Sequence, residues 1–427
     1  MLPHRVGAAL VECVMRVFLS AGEPSGDHHA AALIEQLRMI DPRLECVGLG
    51  GPRMEAAGCR LLADMTRLAV MWFVRVLASI HRFVELARRA ERSFIDSPPD
   101  VLVMIDFPGF HWWLAWRAKR HGIPVVFYCP PQIWAWASWR AAKMRRLVDH
   151  VLAPLPFEQA WLSEQGIAAT FVGHPFFDEK PKEAQAAAAP GAVPRPLVLL
   201  LPGSRSQEIE SNLGTLVSAA RRVREACPQA EFVVAAVSSR HAKRIRSTLG
   251  TAAGGIPVEA GRTRQLIGRA TAAMAVSGSV SLELMAARVP AVIVYRVSGL
   301  AWVVQSWFRH ARFITLVNLL AAREPIGPVR PSWWPPATVE PCDPEAVYPE
   351  YLAVRDPAER IAGHVIDWLT NPASRKAVVS QLDRIAATAA ATGSARHAAE
   401  AVARIAAGGQ PAAADTTAAR VAASHAA

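Results

Sequence analysis

The chain of 427 residues has no uninterrupted apolar run of about 18 residues, the length a spanning helix needs, so a membrane span is not expected while a membrane surface stays open. It has no C-x-x-C pair. Its six cysteines (Cys13, Cys46, Cys59, Cys129, Cys227 and Cys342) are scattered, which argues against a zinc site or a disulfide framework and for a reducing cytoplasm. The P-loop pattern G-x-x-x-x-G-K-[ST] and the dinucleotide fingerprint G-x-G-x-x-G are both missing. No zinc-finger, RNP-type or heptad-basic pattern appears either, and nucleic acid is set aside as a partner. The opening "MLPHRVGAALVECVMRVFLSAGEPSGD" is interrupted by Glu12 and Arg16 and shows no cleavage pattern, so no export signal is expected.

What is present is apolar and basic. Hydrophobic residues make up 52% and charged ones 19%, and 47 Lys and Arg against 36 Asp and Glu leave a formal charge of +11. That balance favours phosphorylated metabolites or acidic lipid as partners, without choosing between them.

Short apolar stretches alternate with helical ones. "MRVFLSAGE" (15 to 23) reads as a buried strand followed by a helix over "SGDHHAAALIEQLRMI", with Ser25 or Asp27 available as its N-cap. "DVLVMIDF" (100 to 107), "IPVVFYC", "HVLAPLPF" and "ATFVGHPF" keep the cadence, and "LVLLLPGSR", "EFVVAAVS", "AAMAVSGS" and "AVIVYRV" resume it after the Ala- and Pro-rich segment 180 to 196. The expected fold is therefore α/β: two Rossmann-like doubly wound domains facing a central cleft, spanning 1–185 and 197–391. Residues 392–427 are rich in alanine and, after a last possible helix, are expected to form a disordered tail.

Two turns carry the chemistry of the second domain. In "LLLPGSRSQEIESNL" (199 to 213) Gly203, Ser204 and Arg205 sit between a strand and a helix that contains Glu208, and all four are candidate contacts for a phosphate-bearing ligand. Free N–H groups and the helix dipole there favour an anion, although a plain strand-to-helix turn reads the same way. In "VSGSVSLELMA" Ser277, Gly278 and Ser279 repeat the pattern, and Glu283, about one helical turn in, is placed to meet a ribose hydroxyl or simply to decorate a helix face.

In the first domain Asp106 ends an apolar strand, where a carboxylate can act as a general base or cap a turn. Glu23, Ser25 and Asp27 in "GEPSGD" and His174 in "VGHPFFD" are candidate substrate contacts with capping or structural roles as the alternative. Arg75, Arg82 and Arg89 recur every seven residues behind Trp72 and Phe73, as on a helix lying on an anionic membrane or as a solvated basic face. "LAWVVQSWFRHARFI" (300 to 314) has a similar mixture.

Taken in order, "AGEPSGD", "GGPRMEAAGC", "LAVM", "IDFPGF", "IWAWA", "LPFE", "FVGHP", "LPGSRSQEIE", "SGSVSLE" and "VNLLAARE" make the chain resemble the lipid-A-disaccharide synthases, two-domain glycosyltransferases of the GT-B type, over residues 16 to 325. The resemblance implies transfer of 2,3-diacylglucosamine from UDP to 2,3-diacylglucosamine 1-phosphate with inversion, forming a β-1,6 linkage and releasing UDP. It implies no metal or other cofactor, and work at the inner face of the cytoplasmic membrane; a homo-oligomer is compatible with it. Residue by residue, it makes Asp106 the base for the acceptor 6-hydroxyl and Arg205 the essential arginine near the donor phosphates. It puts Ser277, Gly278, Ser279 and Glu283 on the nucleotide, and Asn318 and Glu324 beside the donor.

The chain departs from the family on the acceptor side: Gly109 replaces the second carboxylate of Asp-x-Pro-Asp-Phe, Trp72 a glycine and Arg75 a glutamate, and "PPQIWAWA" stands for "SPSVWAWR". Two other readings of the same architecture are a UDP-N-acetylglucosamine 2-epimerase-like enzyme and a catalytically idle membrane-binding relative.

Overall fold

A computed structural model describes residues 14–66, 80–178, 195–250, 255–327, 331–389 and 392–409. Contacts divide the chain into two units, the first holding the described residues within 14–133, 139–178 and 392–409, the second those within 134–138 and 195–389.

The first unit is built on seven strands: β1 (Arg16–Ala21), β2 (Glu45–Gly50), β3 (Arg60–Asp64), β4 (Val101–Ile105), β5 (Val125–Tyr128), β6 (His150–Ala153) and β7 (Ala169–Phe171). Their order is β3-β2-β1-β4-β5-β6-β7, every pair parallel. The second unit has six: β8 (Leu197–Leu201), β9 (Glu231–Ala236), β10 (Val258–Ala260), β11 (Ala272–Val276), β12 (Ala291–Arg296) and β13 (Glu350–Ala353), ordered β10-β9-β8-β11-β12-β13 and again parallel. Central strands such as "VLVMI" and "LVLLL" are buried along their whole length because helices cover both sheet faces, which is why they read as continuous rather than alternating apolar runs. In each sheet the winding reverses direction, at β1/β4 and at β8/β11. Crevices at the carboxyl ends of strands beside such reversals are the usual ligand sites of this architecture.

Two sequence expectations need correction. The first helix runs Pro24–Ile40 with Glu23 as its N-cap residue, not Ser25 or Asp27, because Pro24 supplies the fixed φ of a first helical position. Asp27 is instead buried and accepts the backbone N–H groups of Gly51 (2.8 Å), Arg53 (3.1 Å) and Met54 (3.1 Å), so it caps the short helix Pro52–Ala56. A Cβ on Gly51 would lie 2.7 Å from that carboxylate, so only glycine permits the approach.

The alanine-rich segment that begins at residue 392 is ordered at its start. Ser394–Ala406 is a helix, and Ala398, Ala399, Val402 and Ile405 are buried in the same core as Leu33, Ile34 and Leu37 of the first helix. Asp178 accepts the N–H groups of Gly393 (2.6 Å), Ser394 (3.0 Å) and Ala395 (2.9 Å), satisfying donors that a helix start leaves open. Alanine-rich composition concealed this because small side chains bury little area alone, yet they let two helices approach closely. Residues 410–427, the segment 179–194 that holds most of the expected linker, and Trp72, Phe73 and Arg75 lie outside the described residues.

Candidate functional site

In the second unit, β8 ends at Leu201 and the helix Ser206–Ala226 begins after Pro202, Gly203, Ser204 and Arg205. Gly203 has φ of +111°, and a Cβ there would fall 2.6 Å from Glu208 Cβ, so the turn tolerates no side chain. Glu208 closes the turn from within: one oxygen accepts the Ser204 N–H (2.9 Å) and the Arg205 N–H (3.1 Å), the other the Arg205 guanidinium (3.0 Å). From the sequence such N–H groups read as free for an anion and Glu208 as a ligand contact. Two of those donors are already satisfied by a nearly buried carboxylate, while the Arg205 side chain, paired with the same carboxylate, stays 81% exposed.

The second turn follows β11. Ser277 Oγ donates to the Ile314 carbonyl (2.7 Å), Ser281 Oγ to the Gly278 carbonyl (2.8 Å), and Glu283 faces Arg264 at 3.7 Å. Gly203, Ser204, Arg205, Glu208, Ser277, Gly278, Ser279 and Glu283 all line one cavity of about 1130 Å³. Arg262, Thr263, Arg264, Gln265 and Arg269 line it too. This third wall is not among the residues the motifs point to, although "GRTRQLIGR" (261 to 269) follows β10 as the other turns follow β8 and β11, with Gly261 at φ of +70°. Arginines gathered around small-residue turns suit a ligand with several phosphate charges.

Asn318 and Glu324 do not line that cavity. Asn318 is buried, donating to the Tyr348 carbonyl and to Glu350 (2.8 Å each) and accepting the Tyr348 N–H (2.9 Å). Its amide is engaged inside the protein, so the structure corrects its expected contact with a donor to a supporting one. Glu350 also accepts from Ile314 N–H (2.7 Å), Thr315 N–H (3.2 Å) and Thr315 Oγ1 (2.9 Å), and burial pushes its carboxyl up to about 7 against these bonds. Through Ile314, whose carbonyl holds Ser277, the buried network braces the second turn. Glu324 is exposed in the bend beyond the helix Leu316–Ala321.

In the first unit Asp106 follows β4. It has φ of +56° and Phe107 +49°, two successive non-glycine residues in the left-handed region. Each costs about 1–3 kcal/mol and persists only where the surroundings enforce it. Asp106 Oδ1 accepts the Phe107 N–H (2.9 Å), and burial raises its carboxyl above the ordinary 3.8 against that bond. The "AGEPSGD" turn lies alongside: a Cβ on Gly22 would strike the Phe107 ring at 2.3 Å, and one on Gly26 would sit 3.7 Å from Asp106 Cβ. Glu23 and Ser25 are exposed on this turn. Gly109 is exposed with nothing within 4 Å of a Cβ, so steric crowding does not explain the missing carboxylate. His174 accepts the Phe176 N–H on Nδ1 (3.2 Å), and burial lowers its ring to about 4. It is a neutral imidazole, not a cationic phosphate partner.

Two surfaces complete the picture. On the helix Ile80–Asp96, Arg82 and Arg89 are exposed while Leu86, Ala87, Ala90 and Phe94 enter the core. In the second unit, Leu300, Val304, Trp307 and Phe308 occupy one exposed face of the helix Gly299–Phe308. Trp333 and Trp334, 72% and 80% exposed, extend that face, with the Trp307 and Trp333 rings 4.4 Å apart. Ser306 Oγ, accepting the Ser332 N–H at 3.0 Å, holds the loop against the helix. No helix among the described residues is long and apolar enough to cross a membrane, and none of their His, Cys, Asp and Glu side chains form a group fit to hold a metal ion.

Comparison with known proteins identifies the family and the fold. The family described as Lipid-A-disaccharide synthetase matches residues 17–328. The lipid-A-disaccharide synthase of Anaeromyxobacter sp. (strain K) is 32% identical over 391 residues, 91% of this chain and 96% of that one. That of Geobacter sulfurreducens is 33% identical over 362 residues, 84% of this chain and 88% of that one. Among solved structures, a putative UDP-N-acetylglucosamine 2-epimerase from Listeria monocytogenes aligns with TM-score 0.58 at 12% identity, covering 91% of this chain and 96% of that one, a likeness of fold alone. With its two parallel-sheet units and a family match across most of its length, the chain belongs to the lipid-A-disaccharide synthase family of glycosyltransferases.

Proposed function

We propose that the protein transfers a 2,3-diacylglucosamine unit from its UDP donor to the 6-hydroxyl of 2,3-diacylglucosamine 1-phosphate, with inversion. The observation that carries this reading is the cavity where Arg205, Arg262, Arg264 and Arg269 meet two glycine-serine turns, chemistry matched to a nucleoside diphosphate. Asp106 takes the proton of the acceptor hydroxyl as its oxygen bonds to the anomeric carbon of the donor. The bond from that carbon to the diphosphate oxygen breaks, and its electron pair leaves with UDP. Arg205 meets the charge that develops on the departing diphosphate. No step needs a metal.

The test is UDP release from UDP-diacylglucosamine with and without diacylglucosamine 1-phosphate, with products identified by mass spectrometry. Acceptor-dependent release together with a disaccharide phosphate is expected. UDP release with no disaccharide, or conversion of soluble UDP-N-acetylglucosamine in the manner of an epimerase, overturns the proposal.

The same reading puts the protein on the inner face of the cytoplasmic membrane, since both substrates carry acyl chains. The exposed Leu300, Val304, Trp307, Phe308, Trp333 and Trp334 face supports this, tryptophan being suited to the boundary between headgroups and acyl chains. Burying one large apolar side chain is worth roughly 1.5–3 kcal/mol, so the double variant Trp333→Ser, Trp334→Ser is expected to lower the vesicle partition constant at least about tenfold in a lipid titration by sedimentation. Arg82→Glu should weaken binding to anionic vesicles only. Equal sedimentation of the tryptophan variant and its parent removes the aromatic face from the proposal.

A further inference from the structure

His111 is fully buried in the first turn of the helix Pro108–Arg120, five residues beyond Asp106 and outside every motif weighed in the sequence. Its Nδ1 lies 2.6 Å from the Asp106 carbonyl oxygen and its Nε2 2.9 Å from Ser20 Oγ on β1. A carbonyl only accepts, so Nδ1 carries the proton and donates. Burial lowers the ring to about 4, so it is neutral, and Nε2 accepts from the Ser20 hydroxyl. The ring is packed against Phe107 and Phe127 with centroids 6.1 and 6.0 Å away. The imidazole therefore ties the left-handed corner at Asp106 and Phe107 to the neighbouring strand, at the point where the sheet reverses.

We infer that His111 is a positioning residue: by holding the Asp106 carbonyl it fixes the strained corner that directs the Asp106 carboxylate toward the acceptor hydroxyl. This rests on the reading of Asp106 as the base. A buried histidine that only fills space would be replaceable by anything of similar size. One that acts through its Nδ1 proton is replaceable only by a side chain with a donor at that place. Asparagine can put its amide N–H near the position of Nδ1–H, whereas glutamine extends its amide toward the Nε2 position and reaches Ser20 instead.

The experiment compares His111→Ala, His111→Asn and His111→Gln with the parent and with Asp106→Ala, measuring kcat, KM for the UDP donor, and melting temperature in each. A loosened catalytic group can cost about 100-fold in rate. The alanine and glutamine variants are expected to lose about that much kcat with donor KM unchanged, and the asparagine variant to recover most of it. Should His111→Ala not fold, the asparagine and glutamine pair carries the same comparison. Equal kcat in those two, or losses that follow melting temperature alone, overturns the positioning role. An active Asp106→Ala overturns the base assignment and the role of His111 with it. An inactive Asp106→Ala beside a fully active His111→Ala overturns the role of His111 only.

Discussion

Asp106→Ala is expected to lower kcat about 10²- to 10⁴-fold, the range by which a positioned general base accelerates a proton transfer. Donor affinity should be unchanged, because the residues proposed to hold UDP belong to the other unit, around Arg205 and Ser277. The pH dependence follows from the environment of the carboxyl. Burial disfavours its charged form and raises its pKa above 3.8, while the Phe107 N–H opposes the shift. Only the ionised form can accept the proton, so kcat should fall as pH drops through that raised value. The acid limb is expected at higher pH than an exposed aspartate would produce, and absent from the residual rate of Asp106→Ala. Parental kcat in the variant, or an acid limb that survives the substitution, assigns the proton transfer to another group.

Arg205→Ala should act on a different quantity. Removing one preorganised donor that meets developing charge costs about 10²–10³ in rate, and kcat should fall by that order. The side chain is 81% exposed, so the loss of its ion pair with Glu208 is expected to change stability by less than about 0.5 kcal/mol. Glu208 keeps its bonds to the N–H groups of Ser204 and residue 205, and the turn should survive. UDP binding gives a second readout: ligand at 100 times its Kd stabilises a protein by about 2.7 kcal/mol, and the UDP-induced rise in melting temperature should shrink in Arg205→Ala. Arg205→Lys keeps the charge but not the planar fork, and an intermediate rate is expected. An alanine variant with parental kcat and the full UDP shift removes Arg205 from the donor site.

The alternation of apolar runs with helical stretches was enough to read the parallel sheets, because strands buried on both faces leave a local pattern. "VLVMI" and "LVLLL" carry it in five residues each. The two glycine-serine turns were legible for the same reason: a strand, a small-residue turn and a helix are contiguous in the chain. "GRTRQLIGR" has that local form as well but lacks a glycine-serine pair, and only the sheet order puts β10 in the same unit as β8 and β11.

What the sequence by itself determined is the α/β class, the motif order that marks the family, and the placement of Asp106 just after a strand and of Arg205 in a strand-to-helix turn. These depend on short-range periodicity and on residues adjacent in the chain. Only the tertiary structure decided which polar groups are already satisfied. Glu208 takes up N–H groups that the turn had seemed to offer a ligand, and Asn318 is engaged by Tyr348 and Glu350 some 30 residues away. His111 meets Ser20 across 91 residues, and the alanine-rich helix Ser394–Ala406 finds its cap in Asp178 more than 200 residues earlier. Hydrogen bonds and burial between distant segments have no sequence period, so whether a polar side chain faces a ligand or the protein interior emerges only when the sheet brings those segments together.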